Sequence, residues 1–387
     1  MLRLKNNFSI EHDTAGCGLC GIINIKKIRT NGEDIKKAIA LEHDRGNGLG
    51  GGFAVYGCYP EYSELYAFHV MYDDLAAKET VEEYFKNNFI IEKQEPIPIF
   101  KTSKINDHPI LHRYFMKPKS DREDRLFSEL KDDDFVVKSV MLINSDYDGA
   151  YVFSSGKNMG AFKGVGYPED IADFYMLDNV EGYMWTAHNR FPTNTPGWWG
   201  GAHPFTLLDW SIVHNGEISS YGINKRYLEM FKYNLALKTD TEVIAYILDL
   251  LIRKHGLPVE MAMNVLAAPF YQTIDKMEPE QKELYTALRQ IYGSALLNGP
   301  FAIIFGYPDG MVALNDRIKL RPLVAGTKGD FTYIASEESS IREICSSPDV
   351  VWSPKAGEPI IIKTVKTNVK TAINTENISQ KQRLIIS

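Results

Sequence analysis

Cysteine is scarce in this chain of 387 residues, and it contains no long apolar run. The four cysteines are too few and too scattered for a disulfide framework in a chain of this size, which favours the reducing cytoplasm. No apolar stretch approaches the roughly 20 residues that a bilayer-spanning helix needs. The polar start of the chain also lacks the apolar core of a secretory signal. The sequence therefore predicts neither a disulfide-rich secreted protein nor an integral membrane protein.

A strong excess of charge of one sign is missing as well. The net charge is −7, with both signs mixed along the chain, so we expect no nucleic-acid partner and no membrane partner. The apolar fraction of 44% and the charged fraction of 24% are those of an ordinary soluble globular protein. We find no internal repeat and no linker of the kind that divides domains.

The chain is organised around a stretch near its start, residues 15–25, with the sequence AGCGLCGIINI. A cysteine between small residues, Cys17, leads directly into an apolar, β-branched segment that is typical of a buried strand. A thiol at the head of a core strand is held rigidly and is reached from one end only. We therefore interpret Cys17 as a catalytic nucleophile and residues 1–16 as a leader that is removed to free its amino group.

Other interpretations of this stretch stay open at this point. A free cysteine is usually a small buried hydrophobic residue. Cys17 and Cys20 also form C-x-x-C, a pattern of redox and zinc sites, although no second pair of cysteines or histidines follows at zinc-finger spacing. Cys20 could itself be the nucleophile, since it too begins a C-G-I sequence.

A glycine-rich run follows at residues 46–52. Gly46, Gly48 and Gly51 match G-x-G-x-x-G, the fingerprint of dinucleotide binding. That fingerprint follows a strand and opens a helix, whereas this run follows a predicted helix and precedes a predicted strand. We favour a tight helix-to-strand turn.

The remaining pattern mixes helices and strands. Thr239 and Glu242 form a capping box at the start of the clearest helix, which residues 255–258 end. Helical spacing also predicts a helix over residues 33–41. Apolar and β-branched runs predict strands at residues 17–25, 53–56, 135–143, 150–153, 210–213, 301–307, 311–315, 331–335 and 359–363.

Two loops attract attention because loops of this kind commonly carry sites. Residues 192–205, PTNTPGWWGGAHPF, combine turn-forming residues with aromatic residues and show no helical or strand period. Residues 214–217, HNGE, end a predicted strand.

These segments together resemble one known family, the class II glutamine amidotransferases, which are N-terminal-nucleophile hydrolases. Five motifs occur in the family's order: CGLCG at 17–21, HNRFPTNT at 188–195 with the Trp, Ala, Pro and Phe that follow it, HNGE at 214–217, TDTE at 239–242, and the closing GPFA, RPL and ASE segments at 299–302, 321–323 and 335–337. The second motif is similar to the glutamate synthase branch.

The resemblance implies a fold and an activity. The implied fold is α+β, a four-layer αββα sandwich in which two stacked antiparallel sheets lie between helical layers. It would cover residues 17–363, with residues 364–387 as a polar C-terminal tail. The implied activity is hydrolysis of L-glutamine to L-glutamate and ammonia. The glycine spacing of the family favours Cys17 over Cys20 as the nucleophile.

The resemblance also assigns catalytic roles. Once Cys17 is the first residue, its α-amine, with a pKa near ~7.7–8 in peptides, would act as the general base. Asn215, through its side-chain amide, and Gly216, through its backbone N–H, would hold the oxyanion. Asn-Gly is also the commonest hairpin turn, and without the resemblance we would choose that interpretation.

Further residues would bind the substrate. Arg190 would grip the α-carboxylate by a bidentate pair, and Asp240 would bind the α-ammonium, although a first-turn acid also suits the helix dipole. We assign Thr193, Asn194, His203 and Glu217 to the same pocket, with His203 lining or closing it. The sequence departs from the family at Pro192, where relatives carry a small residue, and this stiffens the loop.

The ammonia acceptor is the remaining question. The chain shows neither a cluster-like cysteine spacing nor a phosphate loop, so we expect no cofactor, no metal and no synthase domain. We predict an amidotransferase subunit that passes ammonia to a separate synthase subunit, in the first place glutamate synthase. Another acceptor, such as a methylated-glutamate synthase, and an unprocessed glutamine-sensing subunit stay open, as does a homo-oligomer.

Overall fold

The computed structural model describes residues 16–120, 130–192, 197–237 and 239–365. These residues form strands and helices in alternating groups. The strands are β1 (Gly18–Asn24), β2 (Thr30–Asn31), β3 (Gly51–Tyr56), β4 (Tyr66–Tyr72), β5 (Phe89–Pro96), β6 (Ile110–Pro118), β7 (Ala150–Ser154), β8 (Met159–Gly164), β9 (Glu181–Gly182), β10 (Met184–Asn189), β11 (Phe205–Leu207), β12 (Trp210–Gly216), β13 (Phe301–Tyr307), β14 (Gly310–Asn315), β15 (Val324–Lys328), β16 (Phe331–Ala335), β17 (Val350–Trp352) and β18 (Ile360–Lys363).

The α-helices connect these strands or cover them. They are α1 (Glu33–Ala40), α2 (Leu75–Asn88), α3 (Asp132–Asp146), α4 (Pro168–Phe174), α5 (Tyr221–Met230), α6 (Asp240–Leu248), α7 (Val259–Leu266), α8 (Tyr271–Ile274), α9 (Pro279–Ile291) and α10 (Glu338–Ile344).

Two antiparallel sheets stack face to face at the centre of the molecule. One has seven strands in the order β17-β15-β16-β1-β10-β3-β8, and the other has five in the order β11-β12-β13-β14-β18. Leu19 and Ile23 of β1 and Val213 and Ile304 of the facing sheet are fully buried between them. Side chains from two inner faces that interdigitate in this way form the core of a β-sandwich.

Helices cover the outer face of each sheet. Helices α1, α4 and α10 pack on the seven-stranded sheet, and α6 packs on β11 and β12 of the other. Along β1 the side chains alternate, so that Cys20 and Ile22 face the helices while Leu19 and Ile23 face the second sheet. The strand is buried on both faces, which is why its sequence is continuously apolar. The predicted four-layer αββα architecture is confirmed.

A third antiparallel sheet, with the order β5-β6-β4-β7, was not foreseen from the sequence. Its strands β4 and β7 contact β8, and β7 also contacts β11, so it covers one edge of each central sheet. Covering an edge removes a row of unpaired backbone groups that would invite aggregation.

One strand prediction in this region was wrong. Residues 135–143 lie in helix α3, not in a strand. Val136, Val137 and Val140 favoured a strand, but three aspartates in the first turn suit the helix dipole. The 15-residue length of the element also exceeds that of an ordinary strand.

Other local predictions are confirmed. The glycine-rich run connects a 3₁₀ turn, His43–Arg45, to β3, as a helix-to-strand turn does. The Thr239 side chain accepts a hydrogen bond from the backbone N–H of Glu242 at the start of α6. That helix continues through a π-helical turn, Asp249–Lys254, and ends before Gly256, whose φ is +68°.

In the described segments, every helix is too short or too polar to cross a membrane. The predicted tail from residue 364 lies outside the described residues except for its first two. Thr364 and Val365 donate backbone hydrogen bonds to the carbonyls of Asp309 and Ile25.

We predict that Gly52→Ala destabilises the fold by about 1–3 kcal/mol. A Cβ at this position would lie 2.4 Å from the carbonyl oxygen of His203 and 2.7 Å from that of Phe162, and backbone atoms yield less readily than side-chain ends. Urea unfolding measures the effect. Gly293→Ala is the control, because a Cβ there meets nothing within 4 Å; equal stabilities for the two variants would contradict the prediction.

Candidate active site

The pairing of β1 with β10 brings the N-terminal cysteine to the site. Gly18 pairs with Asn189 in this antiparallel ladder, so Cys17 lies beside the residues that follow β10. The backbone N–H of Phe191 donates a hydrogen bond to Cys17 Sγ at 3.3 Å. The strand register thus fixes the sulfur next to Arg190.

The backbone around Cys17 is anchored from behind. Arg45 Nε donates to the carbonyl oxygen of Cys17 at 3.2 Å. Leu19 N–H donates both to Glu42 Oε2 at 3.0 Å and to Ser336 Oγ at 2.9 Å. A Cβ on Gly18 would lie 2.5 Å from Glu42 Oε2, so only glycine fits. The segment at residues 42–45 and Ser336 therefore hold the start of β1.

Sequence analysis missed Glu42 and Arg45. They lie at the end of α1 and in the 3₁₀ turn just before the glycine-rich run, which was judged only as a turn. Arg45 also pairs with Glu337 at 2.8 Å. The only feature of the sequence that pointed to this region was an arginine directly before the glycine-rich run. Nothing in the sequence indicated which residues that arginine would bind.

The Cys17 thiol is not acidic in this setting. Burial raises the pKa of Cys17, opposed by the Phe191 N–H and by the positive charges of Arg190 and Arg321. At neutral pH the sulfur therefore carries its proton while Gly16 precedes it. A nucleophilic attack needs a base to remove that proton.

Cys20 lies on the opposite face of β1. Its side chain is 1% exposed and its thiol faces Glu42 Oε1 at 3.7 Å. Burial together with the Glu42 carboxyl raises the pKa of Cys20 well above its usual range. Cys20 has the environment of an inert core cysteine, and all four cysteines are free thiols.

Cys17 opens into a cavity of about 390 Å³. Of the residues predicted for the site, Arg190, His203, Gly216, Glu217 and Asp240 line it together with Cys17. Thr193 and Asn194 lie outside the described residues. The structure thus gathers six predicted positions that are distributed over 224 residues of sequence from Cys17 to Asp240.

The cavity holds charges of opposite sign. Arg190, which follows β10, is 4% exposed, and burial lowers its pKa while Cys17 and Asp240 oppose that effect. Asp240 opens helix α6 on the five-stranded side, where its Oδ2 accepts a hydrogen bond from Ile218 N–H at 3.0 Å. A guanidinium and a carboxylate in one small cavity are complementary to a zwitterion.

Asn215 and Gly216 end strand β12 in the facing sheet. Val213 points between the sheets, and the period of two places Asn215 on that same inner face. Asn215 is 1% exposed, and in the described structure neither its Nδ2 nor its Oδ1 has a hydrogen-bond partner. A buried amide without partners is costly.

Gly216 requires glycine for two reasons. Its φ is +144°, and a Cβ would lie 2.0 Å from the carbonyl oxygen of Pro300. Gly216 lines the cavity, whereas Asn215, which was also predicted for the site, is buried and is not among the lining residues.

The aromatic loop is fastened by a buried lysine that sequence analysis also missed. Lys163 of β8 is fully buried, and its Nζ donates to the carbonyl oxygens of Gly200, Ala202 and Pro204 at 2.9, 2.9 and 3.2 Å. Its ammonium lies 4.6 Å from the ring centroid of Phe205. Burial lowers the pKa of Lys163 to about 7. These bonds hold the segment that carries His203.

A second and larger cavity, of about 670 Å³, lies on the other side of that loop. Trp198 and Trp199 line it, as do Ala236 and Leu237 from the segment before α6. Cys17 and those predicted site residues that the structure describes do not line it. In the described part of the chain, no three His, Cys, Asp or Glu side chains are grouped to hold a metal ion.

We predict a pH-dependent effect of Glu42→Gln on stability. Burial raises the pKa of Glu42 from 4.5 to about 7. Between these values the unfolded chain ionises at Glu42 while the folded chain keeps the proton, so the wild type loses stability as pH rises. The free energy of unfolding of Glu42→Gln minus that of the wild type should grow by about 3 kcal/mol from pH 4.5 to pH 8, measured by urea unfolding.

Glu337→Gln is the matched control, because it removes the exposed partner of Arg45. A half-exposed ion pair contributes about 0–1 kcal/mol, and the change in stability should stay within that range. If the difference in free energy of unfolding between Glu42→Gln and the wild type did not change with pH, that result would contradict a protonated Glu42 in the folded chain.

Comparison with known proteins gives one matching family model, described as "Glutamine amidotransferases class-II", over residues 98–383. An uncharacterized protein of Archaeoglobus fulgidus is 52% identical over 354 residues, which cover 91% of this chain and 93% of that protein. An amidophosphoribosyltransferase of Methanocaldococcus jannaschii is 26% identical over 214 residues, 54% of this chain and 39% of that protein.

Among solved structures, this chain is similar to glutamine phosphoribosylpyrophosphate amidotransferase from B. subtilis in complex with ADP and GMP. The identity is 15% and the TM-score 0.45, over 90% of this chain and 47% of that chain. This chain thus spans less than half the length of the two phosphoribosyl enzymes.

Proposed function

We propose that this protein, which belongs to the class II glutamine amidotransferases, hydrolyses L-glutamine to L-glutamate and ammonia through a thioester on Cys17. The observation that carries the proposal is the cavity in which a cysteine thiol lies with one buried guanidinium and one carboxylate. Arg190 and Asp240 match the carboxylate and the ammonium of an α-amino acid, and the thiol lies where a side-chain amide can be reached.

The first chemical step forms the thioester. The α-amine of Cys17, once residues 1–16 are removed, takes the thiol proton, and the sulfur attacks the amide carbon of the bound glutamine. The carbon–nitrogen bond breaks, and the amine returns the proton so that ammonia leaves. The raised pKa of Cys17 supports this proposal because a protonated thiol depends on such a base.

The second step releases glutamate. A water molecule attacks the thioester, its proton passes back through the α-amine to the sulfur, and the carbon–sulfur bond breaks. In both steps negative charge develops on the former amide oxygen. The unpartnered Nδ2 of Asn215 and the backbone N–H of Gly216 would stabilise it, each donor contributing about 3 kcal/mol to the barrier reduction.

We propose that the ammonia passes to a separate synthase subunit, in the first place glutamate synthase, because the RFPTNT motif at 190–195 is similar to that branch. We place the protein in the cytoplasm, as its four free thiols suggest. Glutamine remains the proposed substrate if the ammonia acceptor is a different synthase.

We predict that Cys17→Ala lowers glutaminase activity by at least about 10³-fold, as removal of a nucleophile does. Cys20→Ala should keep activity within a few-fold, because its thiol faces Glu42 and the helical layer. Ammonia release from glutamine measures both variants. Activity that survives Cys17→Ala and disappears in Cys20→Ala would move the nucleophile to Cys20.

Removal of the leader is tested by intact-mass measurement on the purified active protein. A mature chain that begins at Cys17 is the expected result, because the proposed base is the α-amine of that residue. A fully active chain that retains Gly16 at its N-terminal side would contradict the mechanism. A chain that keeps the leader and binds glutamine without hydrolysis would support a sensing subunit instead.

A further inference from the structure

Beside the substrate cavity, two histidine rings meet at one threonine hydroxyl, and a third histidine stacks behind one of them. We propose that Thr241 is a positioning residue that directs its proton to Asp240 and thereby orients that carboxylate toward the α-ammonium of the substrate. This inference rests on the proposed function, in which Asp240 recognises the amino group.

The contacts of Thr241 Oγ1 define the network. The hydroxyl lies 2.9 Å from His203 Nε2, 3.1 Å from His214 Nδ1 and 3.4 Å from Asp240 Oδ1. Thr241 is itself 1% exposed, so water does not compete for these bonds. One oxygen therefore joins the aromatic loop, strand β12 and helix α6.

Hydrogen-bond arithmetic fixes the direction of each bond. A threonine hydroxyl has one proton to donate and two lone pairs that accept. An ionised carboxylate only accepts, so the contact with Asp240 requires the hydroxyl proton. Both histidines must then donate to Thr241, His203 through Nε2–H and His214 through Nδ1–H.

The other nitrogens of the rings agree with neutral imidazoles. In the described structure, His203 Nδ1 and His214 Nε2 are buried without a partner. A second proton on either ring would bury an unpaired N–H as well as a charge, which is costly. The tautomers that serve Thr241 leave only lone pairs unpaired.

A third ring holds this arrangement from behind. His188 of β10 stacks on His203 with ring centroids 3.9 Å apart and an interplanar angle of 19°. His188 Nε2 lies 2.9 Å from the carbonyl oxygen of His214, to which it must donate. The stack restrains the His203 ring. Because His188 lies on β10 and His214 lies on β12, the network joins the two central sheets.

The consequence concerns the orientation of Asp240. Ile218 N–H binds its Oδ2 at 3.0 Å, and Thr241 binds its Oδ1. With both oxygens held, the remaining lone pairs face the cavity, which Asp240 lines with 27% of its side chain exposed. Without the Thr241 proton only the Ile218 N–H holds the carboxylate, and the ammonium loses a partner with both oxygens preorganised.

The test measures ligand binding by calorimetry on the full chain that carries Cys17→Ala, so that nothing is hydrolysed. Glutamine is compared with glutaramate, which has the same carboxylate and amide but no ammonium. Adding Thr241→Val should raise the Kd for glutamine by about ten- to a hundredfold, as loss of a hydrogen bond to a charged group does. The Kd for glutaramate should change less than about threefold, and Thr241→Ser should restore glutamine binding.

Equal weakening of both ligands, or no recovery in Thr241→Ser, would overturn the proposal, because a merely structural role affects them alike. If the Cys17→Ala protein binds no glutamine, the proposed function fails, and nitrogen NMR of the histidine rings decides the network separately. The network is supported if His203 Nε2 and His214 Nδ1 carry the ring protons and their signals change in Thr241→Val. The opposite tautomer on either ring would overturn it.

Discussion

The antiparallel pairing of β1 with β10 is the constraint on which the site depends. Because Gly18 pairs with Asn189, the residue before β1 and the residue after β10 meet at one end of the sheet. A slip of one residue would turn Cys17 toward the helical layer that now receives Cys20. The register is protected by glycine at position 18 and by the bonds from Leu19 to Glu42 and Ser336. Backbone pairing and the buried carboxyl of Glu42 together fix the direction of the Cys17 thiol.

The stacked sheets supply the rest of the site from the opposite side. Cys17 and Arg190 come from the seven-stranded sheet, and Gly216 and Asp240 come from the five-stranded sheet and the helix that covers it. The packing between the sheets therefore sets the distance between the Cys17 thiol on one and Gly216 on the other. Polar groups at this junction are buried, where electrostatic interactions are stronger than in water and unpaired groups are costly.

The aromatic loop connects two cavities. Its residues Gly201 and His203 line the cavity of Cys17, while Trp198 and Trp199 line the larger cavity next to the third sheet. Lys163 holds the loop between them through three backbone carbonyls. The third sheet, which covers the edges of both central sheets, also forms part of the wall of that larger cavity.

The sequence by itself determined the strand and helix periods, the cysteine at the head of β1 and the order of the motifs that contain Arg190, Gly216 and Asp240. These features are local, since periodicity, capping and turn chemistry are encoded within a few residues. The tertiary structure alone decided the anchor at Glu42, the bonds around Thr241 and the helix at residues 132–146. The partners of Leu19 are 23 and 317 residues away, and no local pattern records such pairings. Those contacts exist only after the sheets have packed, because burial is what makes each donor find its acceptor.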